Sequence, residues 1–334
     1  MREQLLNIID QFSTRKIAVV GDLIADEFLY GQIARVSREA PVLVLEYRDL
    51  IRLPGGAANA ANNLAELGCR VSIAGAVGQD VPGRDLTGML RKKKIDIGSI
   101  RKVRSYATPV KTRILAGAHH SSPQQIVRVD RISDQSVSNH YSWDSLGRII
   151  KNADGIIVSD YGYGVIAPEL VSYLRTSAKN KRIPIVIDSR FGMSGFHDVT
   201  SITPNITELE ASLGVKIGSD AKRLREIGRK TLRKQRLRSL LVTQGRFGMT
   251  LFEPDKPPLH LAIYGSDEVA DVTGAGDTVI SVFTLALAAG ASHEHAARLA
   301  NFAGGIVVMK RGTATLTAGE LRTAVAKSYD PEQE

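Results

Sequence analysis

The sequence has little cysteine, few aromatic residues and no long apolar run. Its single cysteine, Cys69, excludes an intramolecular disulfide and is typical of a cytoplasmic protein. No apolar stretch is long enough to span a bilayer, and the charged N-terminus lacks the apolar segment of a signal peptide. We therefore predict a cytoplasmic protein that makes no contact with a membrane.

Two common nucleotide-binding motifs are also missing. No Gly-x-Gly-x-x-Gly follows the first predicted strand, which disfavours a dinucleotide-binding Rossmann domain. The glycine-containing turn at residues 242–248 lacks Gly-Lys-Ser/Thr, so it is not a Walker loop.

The formal charge of +9 is concentrated in one segment, residues 222–238, which holds nine basic side chains and one acidic one. Leu224, Ile227, Leu232 and Leu237 are spaced to form the buried stripe of a helix. The basic face could then bind nucleic acid or a membrane surface. Because no aromatic residues interleave with the charges, we favour a solvated helix face.

Short apolar strands alternate with helical segments along the whole chain. The predicted strands, apolar on both faces, are 17–20, 71–76, 155–158, 183–187 and 240–243. The predicted helices are 57–67, 83–94, 143–151, 168–179, 220–236, 275–287 and 293–310. This alternation predicts one three-layer α/β/α domain over residues 1–334, with a mainly parallel sheet.

Two segments, approximately 28–53 and 97–131, have an apolar period near two and predict a small antiparallel sheet inserted in this domain. Residues 42–45 are apolar on both faces, which is unfavourable for a strand exposed to water. We therefore predict a lid with one face over a substrate and the other against a second subunit, as in a homodimer.

Residues 270–278, Ala-Asp-Val-Thr-Gly-Ala-Gly-Asp-Thr, are the most informative run. A glycine turn precedes a long apolar helix, so the amides of Gly274, Ala275 and Gly276 can surround an anion at the positive helix end. Asp277 can then take a proton from an alcohol while a phosphoryl group is held beside it. The alternative is an ordinary tight turn with an acidic residue in the first helical turn.

Two further runs suggest a sugar site. Gly55 and Gly56 allow close approach of a ligand to the backbone, and Asn59 can both donate to and accept from a diol. Tight packing of small residues explains this run equally well. Asp22 and Asp26 follow the first strand, where α/β sheets bind ligands, and could accept bonds from vicinal hydroxyls; either could instead cap a turn.

Asn205 and Glu208 also have two interpretations. They resemble a capping box at the start of a helix. They could instead lie near hydrated magnesium and a triphosphate, because Mg²⁺ keeps several waters and needs few protein ligands. Taken alone, the run favours the cap.

Together, three runs resemble the ribokinase-like (PfkB) carbohydrate kinase family: GGAANAANN at 55–63, TPNITELE at 203–210 and DVTGAGDT at 271–278. The resemblance covers nearly the whole chain, in the order and spacing of the family. More narrowly, GDLIADEFLYG, ARVSREAPVLVLE and LPGGAANAANNLAELG look like the heptose-7-phosphate kinases of lipopolysaccharide precursor synthesis. No His-x-Gly-His motif of a nucleotidyltransferase is present, so we expect the kinase alone.

The resemblance implies the ribokinase-like fold and phosphoryl transfer from ATP, with Mg²⁺, to a sugar hydroxyl. Asp277 would be the base, and the amides of 274–276 the anion hole. Asn205 and Glu208 match magnesium and phosphate residues. The family's sugar contacts correspond to Asp22, Gly55, Gly56 and Asn59. Its nucleotide site corresponds to Asn205, Thr243, Gly245, Gly248 and Asn301. Its site for a monovalent cation such as K⁺ corresponds to Asp271 and Thr273.

The chain departs from the heptose kinase pattern at two positions, Tyr163 and Arg190, where the family commonly has lysine. Lys111, Arg113 and Arg128 could bind a substrate phosphate instead. The expected function is 1-phosphorylation of D-glycero-D-manno-heptose 7-phosphate. The alternatives are a kinase for another sugar, such as ribose or fructose, or for a nucleoside, and a catalytically silent sugar-binding regulator with a basic nucleic-acid-binding face.

Overall fold

A computed structural model describes residues 1–117, 123–133, 137, 143–179, 183–265, 271–310 and 314–328. The strands in these ranges are β1 Lys16–Gly21, β2 Leu23–Val36, β3 Leu43–Gly56, β4 Arg70–Gly78, β5 Asp96–Val103, β6 Val110–Gly117, β7 Gln124–Arg131, β8 Gly155–Asp160, β9 Ile185–Ser189, β10 Ser201–Ile202, β11 Ser239–Thr243, β12 Met249–Phe252 and β13 Leu259–Leu261. The helices are α1 Arg2–Asp10, α2 Ala57–Glu66, α3 Val81–Lys92, α4 Trp143–Lys151, α5 Pro168–Lys179, α6 Ile206–Leu213, α7 Ala221–Lys234, α8 Ala275–Ala288, α9 His293–Val308 and α10 Ala318–Ser328.

The larger sheet has nine strands in the order β13-β12-β11-β10-β9-β8-β1-β4-β5. Its pairs from β11 to β5 are parallel, and β12 and β13 add antiparallel strands at one edge. The chain order reverses where β1 lies between β8 and β4, the kind of position at which open α/β sheets bind ligands.

Helices cover both faces of this sheet, as its two-sided apolar strands predict. In β1, Ile17 and Val19 pack into a core with α1, α2, α8 and α9, whereas Ala18 and Val20 pack into a second core with α4, α5 and α7. The parallel strands therefore lie between two apolar cores. The three-layer prediction is confirmed.

The smaller sheet has the order β3-β2-β6-β7. It is mixed, because β2 pairs antiparallel with β3 but parallel with β6, so the prediction of an antiparallel sheet was wrong. The predicted lid boundaries also need correction, because β5 pairs with β4 in the larger sheet and only residues from 110 onward join the small one. β5 is an edge strand with mixed burial. Its apolar and polar residues therefore alternate as they do in a strand of the small sheet.

The predicted amphipathic character of α7 is confirmed. Leu224, Ile227 and Leu232 are buried, and every basic residue of the helix is exposed. No helix in the described ranges is long and apolar enough to cross a bilayer.

Connections between the two sheets are very short on the side where three adjacent strands end. One residue, Asp22, separates β1 from β2, and β3 runs directly into α2 at Gly56.

Tyr161 is the first residue after β8, and Arg190 the first after β9. Because β1, β8 and β9 are parallel neighbours, these residues meet at one edge of the sheet.

Candidate active site

The Asp277 carboxylate lies in the first turn of α8, beside the small sheet. The side chain is only 5 % exposed. Its Oδ2 accepts a hydrogen bond from Asn59 Nδ2 at 2.8 Å, and its Oδ1 accepts one from the Tyr161 hydroxyl at 3.0 Å. Asn59 belongs to α2, so three separate parts of the chain meet at this carboxylate.

The backbone before Asp277 forms a helix N-terminus that suits an anion. Gly274 precedes α8 with φ of +80°, a conformation that favours glycine. Ala275 N–H donates to Val272 O at 3.2 Å, so this amide already has a backbone acceptor, and its expected role in an anion hole stays a prediction. Within the described residues, the amides of Gly274, Gly276 and Asp277 donate to no other group. These three amides are the ones that can face a phosphoryl group.

Burial raises the pKa of Asp277 to about 6, and the nearby Asp26 contributes in the same direction. The hydrogen bonds from Asn59 and Tyr161 favour the ionised form and oppose this rise. The carboxylate is thus ionised at neutral pH, yet basic enough to accept a proton.

Tyr161 is the functional residue that the sequence interpretation missed. Its ring contacts two cations: Lys111 Nζ lies 4.2 Å and the Arg190 guanidinium 4.6 Å from the ring centroid. Lys111 also lies 5.9 Å from the ring of Tyr163. The position after β8 was an available signal, because residues that follow parallel strands line the ligand-binding edge.

Lys111 is a buried cation, with only 4 % of its surface exposed. Burial, with a smaller contribution from Arg190, lowers the pKa of Lys111 to about 8. Neither cation forms an ion pair with a carboxylate of the described residues. A positive site without a bonded counter-ion therefore lies next to Asp277.

The structure corrects the prediction for Asp22. Its side chain is fully buried, and its Oδ2 accepts bonds from the amides of Tyr161 at 2.8 Å and Tyr163 at 3.1 Å. Oδ1 accepts from the Val165 amide at 3.2 Å. Because no part of this carboxylate is open to a ligand, Asp22 holds the loop after β8 instead of binding a sugar directly.

Two of the three predicted phosphate-binding cations already have partners. Arg113 bonds to Asp26 at 2.7 Å, and both side chains are largely buried. Arg128 forms two bonds to Asp130, at 2.8 and 2.7 Å. Lys111 is therefore the predicted cation that is available to an anion.

The two glycines before α2 are explained by internal packing. A Cβ on Gly55 would lie 2.5 Å from Asp26 Oδ2. Gly56 has φ of +56°, and its Cβ would lie 2.7 Å from the Asp22 carbonyl oxygen. Close packing against Asp22 and Asp26 thus accounts for both positions without a ligand.

The capping interpretation of Asn205 and Glu208 is confirmed. Asn205 Oδ1 accepts from the Glu208 amide at 2.8 Å, and Glu208 Oε2 accepts from the Asn205 amide at 2.9 Å. The Glu208 carboxylate also contributes to the negative charge around Asp188. Burial, Glu208 and Asp277 together raise the pKa of Asp188 well above its ordinary value.

This cluster of carboxylates is suited to a cation. No group of three or more His, Cys, Asp or Glu side chains in the described ranges is arranged to hold a bare metal ion. Mg²⁺ that keeps its waters and binds phosphate oxygens needs only one or two carboxylates. Asp188 and Glu208, which repel each other when ionised, fit that kind of binding.

A cavity of about 510 Å³ lies next to this cluster and contains most of the predicted nucleotide residues. Its lining includes Asn205, Thr243, Gly245, Gln244, Phe247 and His260. Gly248 ends the same turn. Asn301 is not among the lining residues, but its side-chain amide donates to Ala262 O at 2.7 Å, two residues beyond the lining residue His260, and its place in the nucleotide site stays a prediction.

The predicted monovalent cation residues form a turn before α8. Asp271 Oδ1 accepts from the Thr273 amide at 2.9 Å, and the Asp271 amide donates to Val308 O at 3.1 Å. Binding of a cation here stays a prediction.

Residues 14–318 match the family described as pfkB family carbohydrate kinase. The chain belongs to the pfkB family. It is therefore a phosphotransferase with an alcohol group as acceptor, and its substrate class is carbohydrate.

Curated relatives carry the name bifunctional protein HldE. The protein of Geobacter sulfurreducens is 41 % identical over 312 residues, which cover 91 % of this chain and 61 % of that protein. That of Trichlorobacter lovleyi is 37 % identical over 333 residues, covering 98 % and 66 %. The chain thus spans less than two thirds of the length of these relatives.

Solved structures of low sequence identity share the fold. Arabidopsis thaliana ribokinase, complexed with ribose and ATP, has a TM-score of 0.71 at 20 % identity and covers 94 % of this chain and 98 % of its own. Escherichia coli phosphofructokinase-2 with fructose-6-phosphate has a TM-score of 0.73 at 16 % identity, covering 94 % and 98 %.

Proposed function

We propose that this pfkB enzyme transfers the γ-phosphoryl group of ATP to the 1-hydroxyl of D-glycero-D-manno-heptose 7-phosphate. The observation that carries the kinase assignment is the buried Asp277 carboxylate beside the unbonded amides of α8. The heptose assignment is supported by the sequence resemblance and by the HldE relatives.

In the proposed reaction the sugar oxygen attacks the γ-phosphorus of ATP, its proton passes to Asp277, and ADP leaves. The amides of Gly274, Gly276 and Asp277 stabilise the charge on the transferring group. Asn59 and Tyr161 hold the base in place. The small sheet covers the reacting groups and limits hydrolysis of ATP by water.

The nucleotide would occupy the 510 Å³ cavity lined by Asn205, Thr243 and Gly245. Its phosphates would then point toward Glu208 and Asp188. These two carboxylates would hold hydrated Mg²⁺, which neutralises phosphate charge when it is bound.

Lys111 and Arg190 would bind the phosphate that the sugar already carries. Both cations lie against Tyr161, near Asp277, and neither is ion-paired with a described carboxylate. Lys111 thus compensates for the lysine that this chain lacks at position 163. Arg190 can bind a phosphate through two parallel hydrogen bonds.

A screen of ADP release tests the substrate. Heptose 7-phosphate, fructose, ribose and adenosine are compared at equal concentration, with the Asp277→Asn variant as the blank. We expect the highest kcat/KM on heptose 7-phosphate. A preference for adenosine or for an unphosphorylated sugar would contradict the heptose assignment and leave the kinase assignment intact.

Replacement of Lys111 by Met tests the phosphate site. We expect KM for the sugar phosphate to rise about 10–100-fold, the usual effect of losing a charge-assisted hydrogen bond. KM for an unphosphorylated sugar should change much less. Lys102→Met, on the exposed side of β5, is the matched control. An equal rise of KM for both sugars would refute the assignment of Lys111 to the substrate phosphate.

The lid is proposed to form a homodimer. Its two faces together expose apolar side chains on β3 and β7, namely Leu43, Tyr47, Leu50, Ile51, Ile126, Val127 and Val129. A second copy of the same sheet would cover those on the face turned away from Asp277. Sedimentation as a monomer at micromolar concentration would contradict this proposal.

A further inference from the structure

The Tyr161 hydroxyl makes a direct hydrogen bond to the carboxylate of Asp277. We propose that Tyr161 is a positioning residue that holds Asp277 ionised and correctly oriented for proton transfer. The proposal rests on the proposed role of Asp277 as the proton acceptor, and it concerns a residue that need not touch the sugar.

The geometry defines the direction of this bond. An ionised carboxylate only accepts hydrogen bonds, so the phenol must be the donor. Burial and the charge of Asp277 raise the pKa of Tyr161 well above its ordinary value, which keeps the phenol protonated. Asn59 donates to the other carboxylate oxygen. Two donors on two different elements therefore fix the plane of the carboxylate.

The position of Tyr161 is itself fixed from three sides. Its amide donates to the buried Asp22 carboxylate at 2.8 Å. Its ring contacts Lys111 at 4.2 Å and Arg190 at 4.6 Å. Tyr161 is thus held by the carboxylate that lies between β1 and β2, and by cations from β6 and from the segment after β9.

Other charged groups also face Asp277. These are Asp26 on β2, Lys111 on β6 and Asp188 on β9, and Arg190 after β9 acts on Asp188 and contacts the Tyr161 ring. A Tyr161→Phe substitution leaves all of them in place and removes a single hydroxyl. A change in the ionisation of Asp277 in that variant is therefore attributable to the hydroxyl.

Loss of the donor has a defined effect on pH dependence. A hydrogen bond to the charged form lowers the pKa of an acid, so its removal raises the pKa of Asp277. Activity needs the ionised carboxylate and falls as the pH drops through that pKa. The acid limb of the kcat/KM profile should therefore move to higher pH in Tyr161→Phe, by roughly one pH unit.

The experiment measures kcat/KM for ADP release from pH 5 to pH 8.5 in the wild type, in Tyr161→Phe and in Tyr106→Phe. Tyr106 is the matched control, because its buried hydroxyl has no hydrogen-bond partner among the described residues. ATP and sugar phosphate also titrate in this range, but they do so equally in all three proteins. A shift of the acid limb of the kcat/KM profile between two of the proteins therefore reports a change in the ionisation of the enzyme itself.

The proposal is supported if the acid limb of the Tyr161→Phe profile lies at higher pH than that of the wild type, while the Tyr106→Phe profile is unchanged. A lower kcat with an unmoved acid limb would overturn it, because a merely structural tyrosine lowers the rate without changing the ionisation of Asp277.

A second variant keeps the proposal testable if Tyr161→Phe fails to fold. Incorporation of 3-fluorotyrosine at position 161 keeps the hydrogen bond and makes the phenol a stronger donor. The acid limb should then move to lower pH, by roughly a few tenths of a unit; an unmoved limb would count against the proposal. Full activity of Asp277→Asn would instead remove the proposed function itself, so the two failures are distinguishable.

Discussion

The end of β1 and the start of α8 each hold a buried aspartate whose pKa is raised to about 6, mainly by burial. Their partners differ. Asp22 accepts from three backbone amides and is fully enclosed. Asp277 accepts from two side chains, Asn59 and Tyr161, beside unbonded helix amides.

This difference is the basis on which we assign Asp22 a structural role and propose Asp277 as the proton acceptor. Backbone amides are fixed by the fold and leave Asp22 no access to a ligand. Asp277 instead accepts from side chains and lies beside the amides of Gly274 and Gly276, which have no acceptor within the described residues. A raised pKa is common to both aspartates and therefore does not distinguish them; their hydrogen-bond donors do.

Asp277→Asn should produce the largest effect. We expect kcat to fall about 10²–10⁴-fold, the usual contribution of a general base, while sugar binding is largely retained. Steady-state kinetics together with calorimetric sugar binding would measure both. Asp255→Asn, in an exposed turn, is the matched control and should behave like the wild type.

Asp22→Asn should act mainly on stability. The new NH₂ group would face a backbone amide that needs an acceptor, which costs about 2–3 kcal/mol in the free energy of unfolding. Urea denaturation would measure this change. A variant as stable as the wild type, but with the kinetic defect of Asp277→Asn, would reverse the roles assigned to the two carboxylates.

The smallest effect is a pH-dependent gain of stability in Asp277→Asn. The folded-state pKa of Asp277, about 6, lies above its ordinary value of 3.8. The folded protein therefore binds more protons between pH 4 and 6, and the ionising carboxylate destabilises it as the pH rises.

The Asp277→Asn variant has no carboxylate at this position, so it does not lose stability in this way as the pH rises. Its stability relative to the wild type should increase by about 1–2 kcal/mol from pH 4 to pH 7. Urea denaturation at several pH values would show it. A difference that is independent of pH would mean that burial does not penalise the Asp277 carboxylate.

Much of the fold could be predicted from the sequence, because the parallel strands are apolar on both faces. The predicted helices 143–151 and 168–179 coincide with α4 and α5. β5 was assigned to the wrong sheet, because a half-exposed edge strand has the same period as a lid strand. Sheet membership depends on pairing partners that periodicity does not encode.

The site was predicted in part. The Gly-Ala-Gly-Asp run identifies Asp277 because turn, helix and carboxylate are adjacent in sequence. Tyr161 lies 116 positions away from Asp277, so only tertiary structure brings the two together. The bond from the Ala275 amide to Val272 O is local instead, and the motif does not reveal it because the motif does not specify which amides the turn uses.

The short junctions between the two sheets restrict how the lid can move. With only Asp22 between β1 and β2, and no linker between β3 and α2, the covering sheet has no flexible hinge segment at these junctions. Any opening would rotate Asp22 and the first turn of α2 as well. Because Asp22 holds the amide of Tyr161 and α2 carries Asn59, release of product would loosen both donors to the base at the same time.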